Sequence, residues 1–403
     1  MKHFFNIQDK LIKDTPGSFQ RFLYGKINFS NRMIGIVGPR GVGKTTLLLQ
    51  HLKKFDLSQK QALYVSLDDI YFSKNHLLFF AGQFVDEYDG KLLILDEVHK
   101  YPNWNQELKN IYDSFPRLKI IFSGSSGIDL IKGRYDLSRR VVLYRLPGLS
   151  FREYLLFNKG KDFEVQTIEK ILKNHLALAS RISGEITVLR EFKKYLEKGY
   201  YPFQSESGTL EYYQKINSTI EKTIYLDIAR FYPIKSKNLA YLSKILYYLA
   251  TIQPGKIRTN NIAKNLGIAN ETVDEYLEYL RETSLLRYLY IDAMGSKLIR
   301  NAEKVFLDNP AMIFSINSSL DKAIDKGQVR ELFVLNQLQN AGLIPTRASN
   351  ADIKCKGLSL EIGGRNKTWD KKFPKEKNNF LVKDDIVIGE KNEIPLYLFG
   401  FLY

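Results

Sequence analysis

Met33-Ile34-Gly35-Ile36-Val37-Gly38-Pro39-Arg40-Gly41-Val42-Gly43-Lys44-Thr45-Thr46-Leu47 decides the fold. Five apolar residues read as a buried strand, and Lys44–Phe55 reads as a helix. Between them, Gly38–Thr45 satisfies G-x-x-x-x-G-K-[ST]. Glycines let successive backbone N–H groups turn inward and cradle phosphate oxygens. The positive end of the following helix points at the same anion. On this reading Gly38, Pro39, Arg40, Gly41, Val42, Gly43, Lys44, Thr45 and Thr46 surround a nucleotide. Lys44 reaches its β- and γ-phosphates, and the Thr45 hydroxyl is a ligand for Mg²⁺.

Working outward, Leu92-Leu93-Ile94-Leu95 is another apolar strand and delivers Asp96-Glu97 at its end. Asp96 is expected at the Mg²⁺ beside Thr45, and Glu97 as the general base for an attacking water. The adjacent acid pair is the habit of additional-strand ATPases. Asn158-Lys159-Gly160-Lys161 comes close to a guanine-reading Asn-Lys-x-Asp but has lysine in the last place, so ATP is preferred to GTP. Lys119–Phe122 is a further strand that ends in Ser123-Gly124-Ser125-Ser126. Next to the first strand, it would bring Ser123 or Ser125 near the γ-phosphate; the alternative is a hydrogen-bonded turn. Arg134, Arg139 and Arg140 follow, any of which could touch a phosphate in its own or a neighbouring subunit or simply face solvent. His99 either couples nucleotide state to a neighbouring loop or is a hydrogen-bonded structural histidine.

Ala62–Leu67 and Val141–Tyr144 complete a set of strands that alternate with helices near Asn75–Tyr88 and Trp104–Phe115. That pattern predicts a parallel sheet covered on both faces. After Pro147-Gly148 the chain reads mostly as helices, including Ile168–Leu178 and Leu239–Ala250, and Ser150 with Glu153 has the spacing of a capping box. Beyond Gln253-Pro254-Gly255, helices at Thr259–Asn265 and Asn270–Glu282 precede strands at Leu286–Ile291 and Glu303–Leu307, the outline of a winged helix. From Gln328 a helix leads into strands at Asp352–Cys355, Leu358–Ile362, Asp385–Ile388 and Pro395–Tyr403, a small α/β domain.

The chain has 403 residues, room for roughly two to four domains. Lys and Arg number 60 against 44 Asp and Glu, a net charge of +16 that suits an anionic partner such as nucleic acid or else a solvated basic surface. No apolar run approaches the ~18–20 residues that span a bilayer. The start, Met1–Asp9, breaks off before a signal-peptide apolar region, and the single cysteine, Cys355, allows no internal disulfide. The expectation is a cytoplasmic protein without a membrane anchor.

The stretches Gly38–Thr45, Leu92–Trp104 and Phe122–Ser126 together resemble the AAA-type ATPases of bacteria and archaea that carry a C-terminal domain of unknown function. Leu137–Arg140, Leu146–Tyr154, Gly199–Pro202 and Ile394–Tyr403 are similar to further parts of that family, so the resemblance covers nearly the whole chain. It implies a P-loop AAA+ core (1–148), a helical lid (149–235), a winged helix (236–308) and a C-terminal domain with a restriction-endonuclease-like fold (309–403). It does not supply a substrate. The family pattern has glycine where Arg139 stands, which raises Arg140 as the candidate arginine finger. A homo-oligomer is compatible with these motifs, which leave the oligomeric state open.

A nuclease of the restriction type needs an acid, then a strand carrying acid-x-Lys. Asp352 and Glu361 could supply the acids and Glu331 a third carboxylate, but Gly363 occupies the lysine position. Lys367 or Arg365 could substitute from farther along; otherwise the domain is an inactive interaction module. The helix Asn270–Glu282 carries Glu271, Asp274, Glu275, Glu278 and Glu282 against Arg281, a poor match for a phosphate-lined groove, so the winged helix reads as structural or protein-binding. Arg365, Lys367, Lys371, Lys372, Lys375 and Lys377, interleaved with Trp369 and Phe373, form either a grip for a nucleic-acid strand or a solvated loop.

Overall fold

The computed structural model describes residues 1–124, 137, 139–206, 208–252, 259–291 and 304–403. The chain divides into two compact units, Met1–Pro147 and Gly148–Tyr403. The first unit runs α1 (Lys2–Asp14), β1 (Met33–Val37), α2 (Lys44–Leu52), β2 (Ala62–Ser66), α3 (Leu77–Tyr88), β3 (Leu92–Asp96), α4 (Trp104–Ser114), β4 (Lys119–Gly124) and β5 (Val142–Arg145). Its strands form a parallel sheet in the order β2-β3-β4-β1-β5. β4 thus lies between the strand that ends in the glycine loop and the strand that ends in Asp96, the additional-strand arrangement anticipated from Asp96-Glu97. β3 is buried at every position, as a central strand covered on both faces must be, whereas the edge strand β5 is partly exposed.

The sequence reading passed over α1. Its Phe4 and Phe5 join Leu63, Val65, Phe80, Phe84, Leu93 and Phe122 in one core. β2 forms the other edge of the sheet, and α1 covers that edge with Gln8. The Gln8 carboxamide accepts from Tyr64 N at 2.8 Å and donates to Ala62 O at 3.5 Å. An edge strand otherwise offers its unpaired groups to other chains, so this buried glutamine closes the sheet.

The second unit begins with α5 (Phe151–Lys159), α6 (Ile168–Glu185), α7 (Val188–Lys198) and α8 (Thr209–Lys222). α8 runs into a π-helical turn, Thr223–Ile228. Then come α9 (Leu239–Thr251), α10 (Thr259–Leu266), α11 (Asn270–Glu282), β6 (Leu286–Ile291), β7 (Lys304–Leu307), α12 (Pro310–Ser319) and α13 (Lys326–Asn340). β8 (Thr346–Arg347), β9 (Ile353–Cys355), β10 (Leu358–Gly363), β11 (Asn379–Lys383) and β12 (Glu393–Pro395) close the unit. These strands lie in one sheet, β12-β11-β10-β9-β8-β6-β7. β6 and β7, the strands expected in a winged helix, therefore continue the sheet of the C-terminal segment through the parallel β6–β8 pair. The boundaries expected at 235 and 308 fall inside this single compact unit.

Two expected strands are replaced. Asp385–Ile388 is not a strand: Asp385 takes the left-handed conformation (φ 58°), Asp384 is pinned by Arg330, and Val387 and Ile388 are exposed. The strand lies at Asn379–Lys383 instead, parallel to β10. Pro395–Tyr403 is mostly a 3₁₀ helix, Leu396–Phe401, buried on all sides. An apolar run with no polar face carries no period from which helix and strand can be told apart.

Candidate nucleotide site

The glycine loop is shaped by the residues that hold it. Gly41 and Gly43 adopt positive φ (78° and 92°), which side chains rarely tolerate, and Gly43 turns the chain into α2 at Lys44. At Gly38 a Cβ would collide with the Leu146 carbonyl just beyond β5, so only glycine fits there. From the opposite side the buried Arg21 donates to Val42 O and, at 2.7 Å, to Pro147 O. Arg21 ties the loop to the exit of β5. The sequence reading missed it, since nothing local distinguishes this arginine from solvated ones.

Within the loop, Lys44 Nζ donates to Gly38 O and Pro39 O, both at 2.9 Å, and is nearly buried. Thr46 follows on α2, half-buried. Thr45 Oγ1 donates to Asp96 Oδ2 at 2.6 Å, so the two expected magnesium ligands meet. Asp96 is buried and receives three further hydrogen bonds. Tyr64 OH donates to Oδ2 at 2.8 Å, Ser123 Oγ donates to Oδ1, and Glu97 N donates to Oδ1 at 3.1 Å. The β1–β4 register pairs Ile36 with Ser123, which is what brings that hydroxyl to the site. Tyr64 is a second residue the sequence did not flag. Burial, and then the Asp96 carboxylate beside it, push its phenol well above its ordinary pKa, so it remains a donor. Hard oxygen donors such as one carboxylate and one hydroxyl are what Mg²⁺ takes, together with substrate phosphates, at such sites. The residues present fit that ion.

Glu97 leaves β3 in the left-handed conformation (φ 53°, ψ 42°), and its N–H also donates to Ser123 Oγ at 3.2 Å. Its carboxylate turns toward the loop. Oε2 lies 3.9 Å from Arg40 NH1 and 3.2 Å from Nε2 of the buried His99. His99 thus contacts the candidate base directly. Arg140 is directed elsewhere: its guanidinium forks onto Asp113 of α4, Nε–Oδ1 3.0 Å and NH2–Oδ2 2.9 Å. The fork holds the Asp113 carboxyl below its ordinary pKa. Arg139 is exposed. Ser125 and Arg134 lie outside the described residues.

In the second unit, the four residues expected at a nuclease-like site lie in one network with a fifth. Lys304 Nζ reaches Glu331 Oε2 at 2.7 Å and Asp352 Oδ1 at 3.7 Å. Asp352 Oδ2 accepts from Ile362 N at 2.9 Å, and Lys367 Nζ donates to Glu361 Oε1 at 2.6 Å. A Cβ on Gly363 would lie 2.7 Å from Lys367 Cβ and Cγ, so Lys367 fills the space a side chain at 363 would occupy. Burial, then the neighbouring Asp352 carboxylate, raise the Glu331 pKa; burial first raises that of Glu361. Among the described residues, no group of three or more His, Cys, Asp or Glu converges to hold a metal ion. In the basic loop, Phe373 is buried in a small cluster with Ala348, Ala351 and Leu381, and Trp369 stacks on it (centroids 5.6 Å, 6°). Phe373 is thus a core residue, while Trp369 is half-buried, with Lys375 Nζ 6.0 Å from its ring centroid. Arg365, Lys371, Lys372, Lys375 and Lys377 remain exposed.

A glycine loop between a parallel strand and a helix, an acid at the tip of β3 and β4 interposed define a P-loop nucleotide-binding domain with an additional strand. Residues 30–155 match the family described as AAA domain, and residues 189–318 match a domain of unknown function, DUF8612. The first unit is thus an AAA-type P-loop domain. The chain is 31% identical to an uncharacterized protein of Methanocaldococcus jannaschii over 295 residues, which is 70% of this chain and 62% of that relative's length. Among solved structures it is similar to a Walker-type ATPase of Pyrococcus abyssi (14% identity, TM-score 0.43, covering 76% of this chain and 99% of the other). AMPPCP-bound DnaA from Aquifex aeolicus is another (14% identity, TM-score 0.26, 69% and 88%).

Proposed function

We propose that the first unit binds ATP with Mg²⁺ and hydrolyses it, and that nucleotide state governs the association of the protein with nucleic acid. The observation that carries the ATPase reading is the meeting of Thr45 and Asp96 at 2.6 Å with Glu97 on the next residue. Thr45 and Asp96 would hold Mg²⁺, which when bound neutralises charge on the β- and γ-phosphates. Loop N–H groups and Lys44 bind the phosphates, Ser123 and Tyr64 orient Asp96, and Glu97 accepts a proton from the attacking water. Arg140, paired with Asp113, is left for a role toward a neighbouring subunit if the protein assembles. The helical lid, winged helix and restriction-endonuclease-like fold, and a cytoplasmic location, belong to the same reading.

Release of phosphate from ATP, measured with Mg²⁺, tests it. Lys44→Ala is expected to abolish saturable turnover, and Glu97→Gln to cut kcat by about a hundredfold or more while nucleotide still binds. Wild-type turnover by Glu97→Gln would remove Glu97 from the role of base.

The nucleic-acid half rests on the +16 charge and the exposed Arg365–Lys377 cations, which could neutralise a phosphate backbone. A second reading is an ATP-gated scaffold that binds a protein partner and keeps a catalytically inactive nuclease-like domain. It is favoured by the acids of α11 and by the carboxylates of the 331–367 network, already held by Lys304 and Lys367.

A further inference from the structure

We propose that Arg40 reads the terminal phosphate of the nucleotide, leaving Glu97 for the γ-phosphate, and so makes the site prefer a triphosphate to a diphosphate. This rests on the reading of the loop as an ATP site and assigns a side chain that the loop motif itself leaves unspecified.

The Glu97 backbone is fixed, with the N–H shared between Asp96 and Ser123 and the chain in the left-handed region. From there the side chain extends toward the loop. There its Oε2 meets Arg40 NH1 at 3.9 Å and His99 Nε2 at 3.2 Å. A base that activates water against a γ-phosphate stands within a water's width of that phosphate. A guanidinium in ion-pair range of the base is accordingly close to the γ-position, not the α-position.

The Arg40–Glu97 pair is easily exchanged. It is long, and its side chains retain 18% and 23% of their exposure. Pairs of this kind contribute little, and solvent screens them. A γ-phosphoryl group offers the same guanidinium several anionic oxygens and fork-like, bidentate geometry, a stronger partner than one carboxylate oxygen at 3.9 Å. ADP offers no such group. When Arg40 moves to the γ-phosphate, Glu97 no longer shares that ion pair. His99, 1% exposed and fixed beneath it, keeps the carboxylate in place. Arg40 thus recognises the triphosphate, while His99 stays in contact with the Glu97 carboxylate.

The test is a double-mutant cycle read by nucleotide binding, so it does not depend on turnover. The probes are fluorescent ADP and a fluorescent non-hydrolysable ATP analogue, each with Mg²⁺, against wild type, Arg40→Ala, Glu97→Gln and the double variant. Arg40→Ala is expected to weaken the triphosphate analogue about tenfold or more and to leave ADP within about twofold. Glu97→Gln is expected to tighten the triphosphate several-fold when Arg40 is present, because the competitor for the guanidinium has gone, and to do nothing in the Arg40→Ala background. Arg40→Lys, which keeps the charge without the fork and is the gentler change to the loop, should fall between. Equal weakening of both nucleotides by Arg40→Ala, or additive effects of the two substitutions, overturns the proposal while the ATP reading stands. A wild-type protein that binds neither nucleotide overturns both.

Discussion

At the scale of single residues, the first unit shows how far a side chain's chemistry depends on partners distant in sequence. His51 on α2 is buried, stacks on Phe29 (3.8 Å, 8°) and has Nδ1 2.9 Å from Tyr24 OH. Burial, and then Lys54 and Lys119, lower its pKa from 6.5 to about 4. Between those values the unfolded chain takes up a proton that the folded chain refuses, so stability rises with pH across that window and is lost as pH falls through it. By pH 5 the loss is about 2 kcal/mol for the first unit, an order-of-magnitude figure. Trp104 lies in the first unit and Trp369 in the second. In a Trp369→Phe background, indole fluorescence therefore reports the first unit alone. The drop in Tm between pH 7 and pH 5 should shrink in His51→Gln, which keeps a polar neighbour for Tyr24 but cannot titrate; an unchanged drop would assign the acid sensitivity elsewhere. The glycine loop, Asp96 and Glu97 were legible because their chemistry is written in adjacent letters. Tyr64 and Arg21 were not. They act through contacts made only when register brings Tyr64 beside Asp96, or when folding brings Arg21 to the carbonyls of Val42 and Pro147.

At the scale of elements, local grammar and long-range packing separate in the same way. The Ser150–Glu153 capping box could be read from its spacing, and both of its bonds are present: Ser150 Oγ accepts from Glu153 N at 3.1 Å, and Glu153 Oε2 accepts from Ser150 N at 3.3 Å. What the spacing did not reveal is that the same hydroxyl donates to Tyr403 O at 2.8 Å, 253 residues away. Ser150→Ala removes the cap of α5 and one of two hydrogen bonds to Tyr403 O, which keeps Arg152 Nε at 3.1 Å, at a combined cost of about 1–3 kcal/mol. Trp369 fluorescence during urea unfolding should report that loss in the second unit, and Ser150→Thr, which restores a hydroxyl, should recover most of it. Loss of no more than about 0.5 kcal/mol in Ser150→Ala would mean water replaces both bonds. α1 illustrates the opposite case. Its helix-forming letters gave no hint that Gln8 would cover the edge of β2, because that role exists only once the sheet has an edge. The misplaced strand has an equally physical cause. Asp385-Ile386-Val387-Ile388 looks β-forming, but Arg330 from α13 captures Asp384 and the next residue turns left-handed.

At the scale of the whole molecule, the question is what the positive charge is for. The seven-stranded sheet of the second unit was not legible in outline, since two segments read as separate domains share it through the short β6–β8 pair. One consequence is that the basic loop 364–378 is mounted on this sheet, between β10 and β11. Asp370 fixes its turn by accepting from Lys372 N and Phe373 N, and the Trp369–Phe373 stack anchors it inward. The cations Arg365, Lys371, Lys372, Lys375 and Lys377 are exposed on this loop, and Phe373 is buried beneath them. Such a surface binds phosphates without regard to sequence, and its signature is salt dependence. If all five contact a single strand, log Kobs should fall with log salt at a slope near −3.5, at about −0.7 per phosphate. Anisotropy of a labelled oligonucleotide between about 50 and 200 mM salt measures this slope. Lys371→Glu with Lys375→Glu should weaken binding at low salt and flatten the slope by about 1.4, leaving ATP turnover in the first unit unchanged. Variants that bind as the wild type does would place the nucleic acid elsewhere on the molecule. A wild-type affinity that is negligible at about 50 mM salt would instead assign the positive charge to solubility and the second unit to a protein partner.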